Sequence, residues 1–172
     1  MISAANMMKQ RHEIRSYDYV NHPFAEVRQA LVADAAGVFR AATRAAASRA
    51  QSVAAALRVN IVGIEVGTEI AVSVGSIEDR PGADPSSPLT RIPISWQAAQ
   101  RPGLFPLMTA ELSVYPLTAT ETQLDFLGHY EPPLSALGSA IDAVVGHRIA
   151  EASVHRFVAD VAQYLRDHLR TP

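Results

Sequence analysis

The sequence predicts an α+β fold: a curved antiparallel sheet of six to seven strands wrapped around a long C-terminal helix, with two helices between the first and second strands. Three observations predict it. Between Thr68 and Tyr130, apolar residues recur at every second position in short runs separated by Gly- and Pro-rich breaks. That is the period of strands with one dry and one wet face. After Pro132-Pro133 the period becomes helical, carried by Leu134, Leu137, Ile141, Val145, Ile149, Ala152, Val161, Leu165 and Leu169. Ahead of the strands, an alanine-rich stretch keeps one apolar face at helical spacing. At 172 residues the chain suits a flexible N-terminus over 1–12 and one domain over 13–170, able to bury roughly 70% of its unfolded surface.

The elements follow in order. Ile14, Tyr17, Tyr19 and Val20 make "EIRSYDYV" a first strand. In "NHPFAEVRQAL", Asn21 or His22 can cap a helix, Pro23 suits its first position, and Glu26 lies in its first turn. Phe24, Val27, Leu31, Val38 and Ala42 continue one face. Gly37 interrupts it at a cost of about 1 kcal/mol relative to Ala, which predicts two helices meeting near Gly37 instead of one rod.

"LRVNIVGIEV" (57–66) and "TEIAVSVGSIED" (68–79) then read as strands about a turn at Gly67, and "RPGADPSSP" (80–88) as a loop. Thr90, Ile92, Ile94 and Trp96 share one face of the next strand. Pro93 lacks a backbone donor there, so the strand lies at an edge or is bulged. Met108, Ala110, Leu112 and Val114 alternate along another strand, and Thr122, Leu124, Phe126, Gly128 and Tyr130 along the last. Hairpin-length connections make these strands an antiparallel meander.

Composition excludes several functions. There are no cysteines, hence no disulfides, thiolate catalysis or Cys-based metal sites. A net charge of −2 supplies no field to draw in nucleic acid. No window reaches the ~18 uncharged apolar residues of a membrane span, and charges arrive at Lys9 and Arg11 before any signal-peptide core. The expectation is a cytoplasmic protein without cofactor or metal.

The order strand, two helices, meander, long closing helix resembles the START-like helix-grip superfamily (SRPBCC; polyketide cyclase/dehydrase and lipid-transport proteins) over about residues 13–170. "YDYVNHPFAEVRQAL" is similar to the family's opening, where a strand leads into a Pro-initiated helix. "FLGHYEPPLSALGSAIDAVVGHRIAEASVHRFVADVAQYL" is similar to its last strand and closing helix. The superfamily commonly has a seventh strand, for which residues 97–105 are the place. The resemblance implies a helix-grip fold with a hydrophobic cavity between sheet and closing helix. Members bind lipids, hormones or polyketides, some catalyse cyclisation or dehydration, and others act on partner proteins. An empty cavity of ~300 Å³ costs about 7 kcal/mol, comparable with the whole ~5–15 kcal/mol stability of a domain; a cavity of that size is kept for use.

Several residue sets invite chemistry, each beside a plainer reading. His147, Glu151 and His155 sit four apart, as helical metal ligands do. They also lie roughly 200–280° around the helix from Val145, on a wet face. Asp142 follows Ile141 at the cavity margin, where an apolar setting raises a carboxyl pKa toward that of a general acid; the plainer reading is helix-start electrostatics. Trp96 and Tyr130 each carry a polar atom that needs a partner when buried, or simply pack the core. Arg91 and His129 have the opposite strand parity and belong to the wet face.

The leading function is binding or carriage of a small apolar ligand (a lipid, polyketide or aromatic metabolite). Its walls are Ile92, Ile94, Trp96, Leu112, Phe126, Tyr130, Ile141, Val145 and Ile149. A cyclase or dehydratase using Asp142 or Tyr130 as proton donor, and a protein-interaction adaptor with a filled core, are the alternatives.

Overall fold

The computed structural model describes residues 12–56, 70–84, 86–98, 107–131 and 143–169. The elements are β1 (His12–Val20), α1 (Phe24–Ala56), β2 (Ile70–Val74), β3 (Glu78–Pro81), β4 (Pro88–Ala98), β5 (Leu107–Pro116), β6 (Thr122–Glu131) and α2 (Ala143–His168). The expected strand at 57–66, the place for a seventh strand beyond Ala98, residues 1–11 of the N-terminus expected to be flexible over 1–12, and the expected start of the closing helix at 134–142 lie outside the described residues. The sheet runs β1-β6-β5-β4-β2, with β3 also paired to β4, and every pairing is antiparallel.

The expected strand at 68–79 is two strands. β2 ends with Val74 opposite Ile94, and β3 begins with Glu78 opposite Arg91. Three residues, Gly75 to Ile77, thus face two on β4, Ile92 and Pro93, as in a β-bulge. Gly75 donates its N–H to the Pro93 carbonyl at 2.8 Å. In an extended residue N–H and C=O point the same way, so the donor Pro93 lacks would face this bulge and not β5. β4 is therefore interior, and its proline is accommodated by its neighbour's irregularity. A side chain at Gly75 would meet the Pro93 ring at 2.9 Å. The loop expected at 80–88 is shorter, because Pro81 and Pro88 already pair as the ends of β3 and β4.

α1 is broken, three residues before the glycine that marked the break in the sequence. Asp34 has non-helical dihedrals (φ −152°, ψ 53°), and its carboxylate accepts the Gly37 N–H at 3.0 Å. Asp34 is thus an N-cap for the second half of α1. Gly37 sits where a Cβ would come within 2.2 Å of that carboxylate.

The core lies between the sheet's inner face and the two helices. From α2 it receives Val154, Phe157, Val158, Val161, Ala162 and Leu165, and from α1 Val27, Leu31, Val38 and Phe39. Among the described residues four polar side chains are buried with them, and each is bonded. Thr122 donates to the His22 carbonyl at 2.8 Å, Thr43 to the Phe39 carbonyl at 2.6 Å, Thr90 to Asp79 at 2.7 Å, and Ser16 pairs with His155 at 2.9 Å. Arg166 closes the seam between α2 and β1, donating to the Asp18 carboxylate at 2.8 Å and to the Tyr19 carbonyl. A cation from the closing helix therefore occupies part of an edge strand, one way proteins blunt such edges. Among the described residues no helix is long and apolar enough to cross a membrane.

Candidate functional site

Strand register sets the inner face row by row. His12, Tyr130, Met108, Trp96 and Val72 lie side by side across five strands. The next row is Ile14, Gly128, Ala110, Ile94 and Val74, and beyond it come Ser16, Phe126, Leu112 and Ile92. Ile92, Ile94, Trp96, Leu112, Phe126 and Tyr130 are thus brought together, all buried on one face. Ile141 and Asp142 lie outside the described residues; Val145 and Ile149 fall within α2, their side chains likewise outside.

The face has two different ends. Around Phe157 it is filled: this ring packs at 5.1 Å from Trp96, 5.6 Å from Phe126 and 5.8 Å from Phe39. Trp96 and Phe126 also stack on each other at 6.0 Å. Both are core residues here as much as wall. Phe126 leans toward Gly128, where a Cβ would meet its ring at 2.7 Å and the Met108 sulfur at 2.8 Å. The glycine is what lets the aromatic and the methionine close over the strand.

The Tyr130 end is different. Tyr130 is 2% exposed, and its ring stacks on His12 at 5.1 Å with His147 at 6.4 Å on α2. Burial pushes the phenol's pKa up, so it remains a neutral proton donor at physiological pH. No described residue hydrogen-bonds its hydroxyl. It stands at the end of the sheet marked by Ala98 of β4 and Glu131 of β6, opposite the β3–β4 hairpin and the β5–β6 turn.

The helical trio does not converge. His147, Glu151 and His155 are exposed, but His147 lies near Tyr130 and His155 is tied to Ser16. Arg91 and His129 are on the outer face, paired with Glu111 at 3.3 Å and Glu13 at 3.7 Å. The residues sequence reasoning missed are His12, Met108 and the central role of Phe157. His12 directly precedes the expected first strand and Met108 shares parity with Leu112, so both had a signal in the alternation; the His12–Tyr130 stack comes from cross-strand register, which local pattern does not set.

The fold is similar to several solved structures at low identity. Against an aromatase/cyclase from a Streptomyces species the TM-score is 0.45 at 12% identity, over 94% of this chain and 98% of that one. Against norcoclaurine synthase from Thalictrum flavum, solved with dopamine and hydroxybenzaldehyde, it is 0.44 at 8% identity, over 99% and 98%. Against a hypothetical protein from Helicobacter pylori it is 0.47 at 8% identity, over 90% and 88%. No protein-family model and no curated protein matches the chain. On its own geometry, an antiparallel sheet with α2 packed against its first strand and inner face, the chain has an α+β helix-grip-like fold.

Proposed function

We propose that the protein binds a small hydrophobic molecule at the Tyr130 end of the inner face, between sheet and α2. The observation that carries this reading is Tyr130, its ring buried on an apolar face and its hydroxyl bonded by no described residue. A phenol at the end of an apolar face presents an O–H that seeks a hydrogen-bond partner, and a ligand oxygen or nitrogen is one such partner. Ile94, Met108 and Trp96 are its apolar neighbours on the same face, and the His12 and His147 rings flank the phenol. The ligand this fits has an apolar body and one hydrogen-bond acceptor, which suits lipids, polyketides and aromatic metabolites.

Native mass spectrometry of freshly purified protein, followed by extraction of whatever is bound, tests the proposal. A stoichiometric apolar adduct is expected. Tyr130→Phe should weaken its binding about fivefold, the worth of one hydrogen bond of ~1 kcal/mol. An unliganded mass that no fatty acid or polycyclic aromatic probe shifts would rule the reading out and favour an adaptor with a filled core.

A further inference from the structure

The outer face carries a recess that the inner-face reading does not use. Arg15 and Tyr17 on β1, Asp125 and Gln123 on β6, and Tyr115 on β5 line a concavity of about 320 Å³. Register places Tyr17 opposite Asp125, and Tyr115 opposite Gln123. The floor is therefore β6, and the two tyrosines rise from the strands on either side, about two strand spacings across and two residues along, ~12 Å apart. Tyr17 is 72% exposed. Among the described residues, neither tyrosine stacks on another aromatic ring and the Gln123 amide has no hydrogen-bond partner.

The floor is pinned. Arg15 donates through Nε and a terminal nitrogen to both Asp125 oxygens, at 3.1 and 2.6 Å. Such a bidentate fork fixes the plane of both groups, leaving unused guanidinium donors and carboxylate lone pairs directed elsewhere. The pair cancels its own charge. An anion or a cation entering the recess would have to compete with that fork. A wholly apolar ligand would strip water from Arg15, Asp125 and Gln123 and return nothing.

What fits is a neutral ring bearing hydroxyl groups, each both donor and acceptor, with a C–H face for aromatic walls. The negative face of a phenol attracts weakly positive C–H groups as it attracts a ring edge. Burial and the Asp125 carboxylate raise the Tyr115 pKa, which keeps that hydroxyl a donor. We infer that this recess, built by Arg15, Tyr17, Tyr115, Gln123 and Asp125, is a saccharide-binding site independent of the inner face.

The test is a titration of the full isotope-labelled chain, followed by amide NMR, with maltohexaose, cellohexaose and adenosine as separate probes. At about 10 mM, ten times the ~1 mM dissociation constant of a shallow site, one oligosaccharide should shift amides in residues 15–19 and 115–125. The Tyr17→Ala/Tyr115→Ala variant should bind at least tenfold more weakly with its other amides unmoved. Gln123→Leu, which keeps the side chain's bulk, should also weaken binding, and Tyr17→Phe should hold it within about twofold. No shift with either sugar overturns the inference. So do shifts with adenosine alone, or sugar shifts that survive in the double-alanine variant.

Discussion

Asp34 and Gly37 show how one residue's role depends on another three positions away. The glycine costs helix propensity, about 1 kcal/mol relative to alanine, yet an alanine Cβ would displace the carboxylate that caps the second half of α1. Losing that cap costs about the same. Gly37→Ala alone should therefore be nearly neutral, Asp34→Ala should destabilise by ~1 kcal/mol, and Gly37→Ala added to Asp34→Ala should recover ~1 kcal/mol. Urea denaturation of the three variants measures the coupling; simple additivity would mean that the carboxylate does not constrain the glycine. In the sequence the glycine looked like the break itself. The break lies at its partner, because propensity locates the weak residue and capping chemistry locates the turn.

At the scale of elements, Asp79 joins three. Its carboxylate accepts from Arg28 of α1 at 2.9 and 2.6 Å and from Thr90 of β4 at 2.7 Å, while it belongs to β3. These hydrogen bonds lower its pKa to about 2. A folded-state pKa below the unfolded one adds stability above the unfolded value, near 4, and loses it as pH falls through the folded one. Stability from this group should therefore decline between about pH 4 and pH 2. The site is exposed, so solvent screening limits the effect to about 1 kcal/mol or less. Asp79→Asn should be less stable at pH 7 and show a shallower acid limb in thermal melts; an unchanged limb would mean that the contacts contribute nothing.

Legibility varied between elements for physical reasons. β4, β5 and β6 were plain because each has one dry face, so that Ile92, Leu112 and Phe126 sit in phase with their neighbours. The α2 stripe was only half visible. Steps of four overshoot a helical turn by about 40°, so the buried face of the described part takes in Val154, Val158 and Ala162 beside Val161 and Leu165. Tyr130 was legible by parity with Phe126, but its histidine neighbours come from β1 and α2, beyond any local pattern.

For the molecule as a whole, Phe157 is where both helices and the sheet meet, in ring contact with Phe39, Trp96 and Phe126. Phe157→Ala should cost about 3–5 kcal/mol, a fall of roughly 6–20 °C in melting temperature for a chain of this size. Calorimetry should show one cooperative transition throughout. A loss below ~1 kcal/mol would indicate that the interior around this ring is already slack. The filled Phe157 end thus anchors the framework on which the Tyr130 end, the proposed binding site, is built.

Pairing of β1 with β6 brings together residues 110 positions apart, as in the bridge from Arg15 to Asp125. On the ribosome, β1 emerges long before its only described neighbour in the sheet. At ~5–20 residues per second the interval is roughly 6–22 s, during which neither side of the strand has that partner. Contacts so distant in sequence also slow closure once the chain is released. Biosynthesis thus gives this protein a long vulnerable interval, which ends only when β6 has been made and α2 can lay Arg166 across the seam.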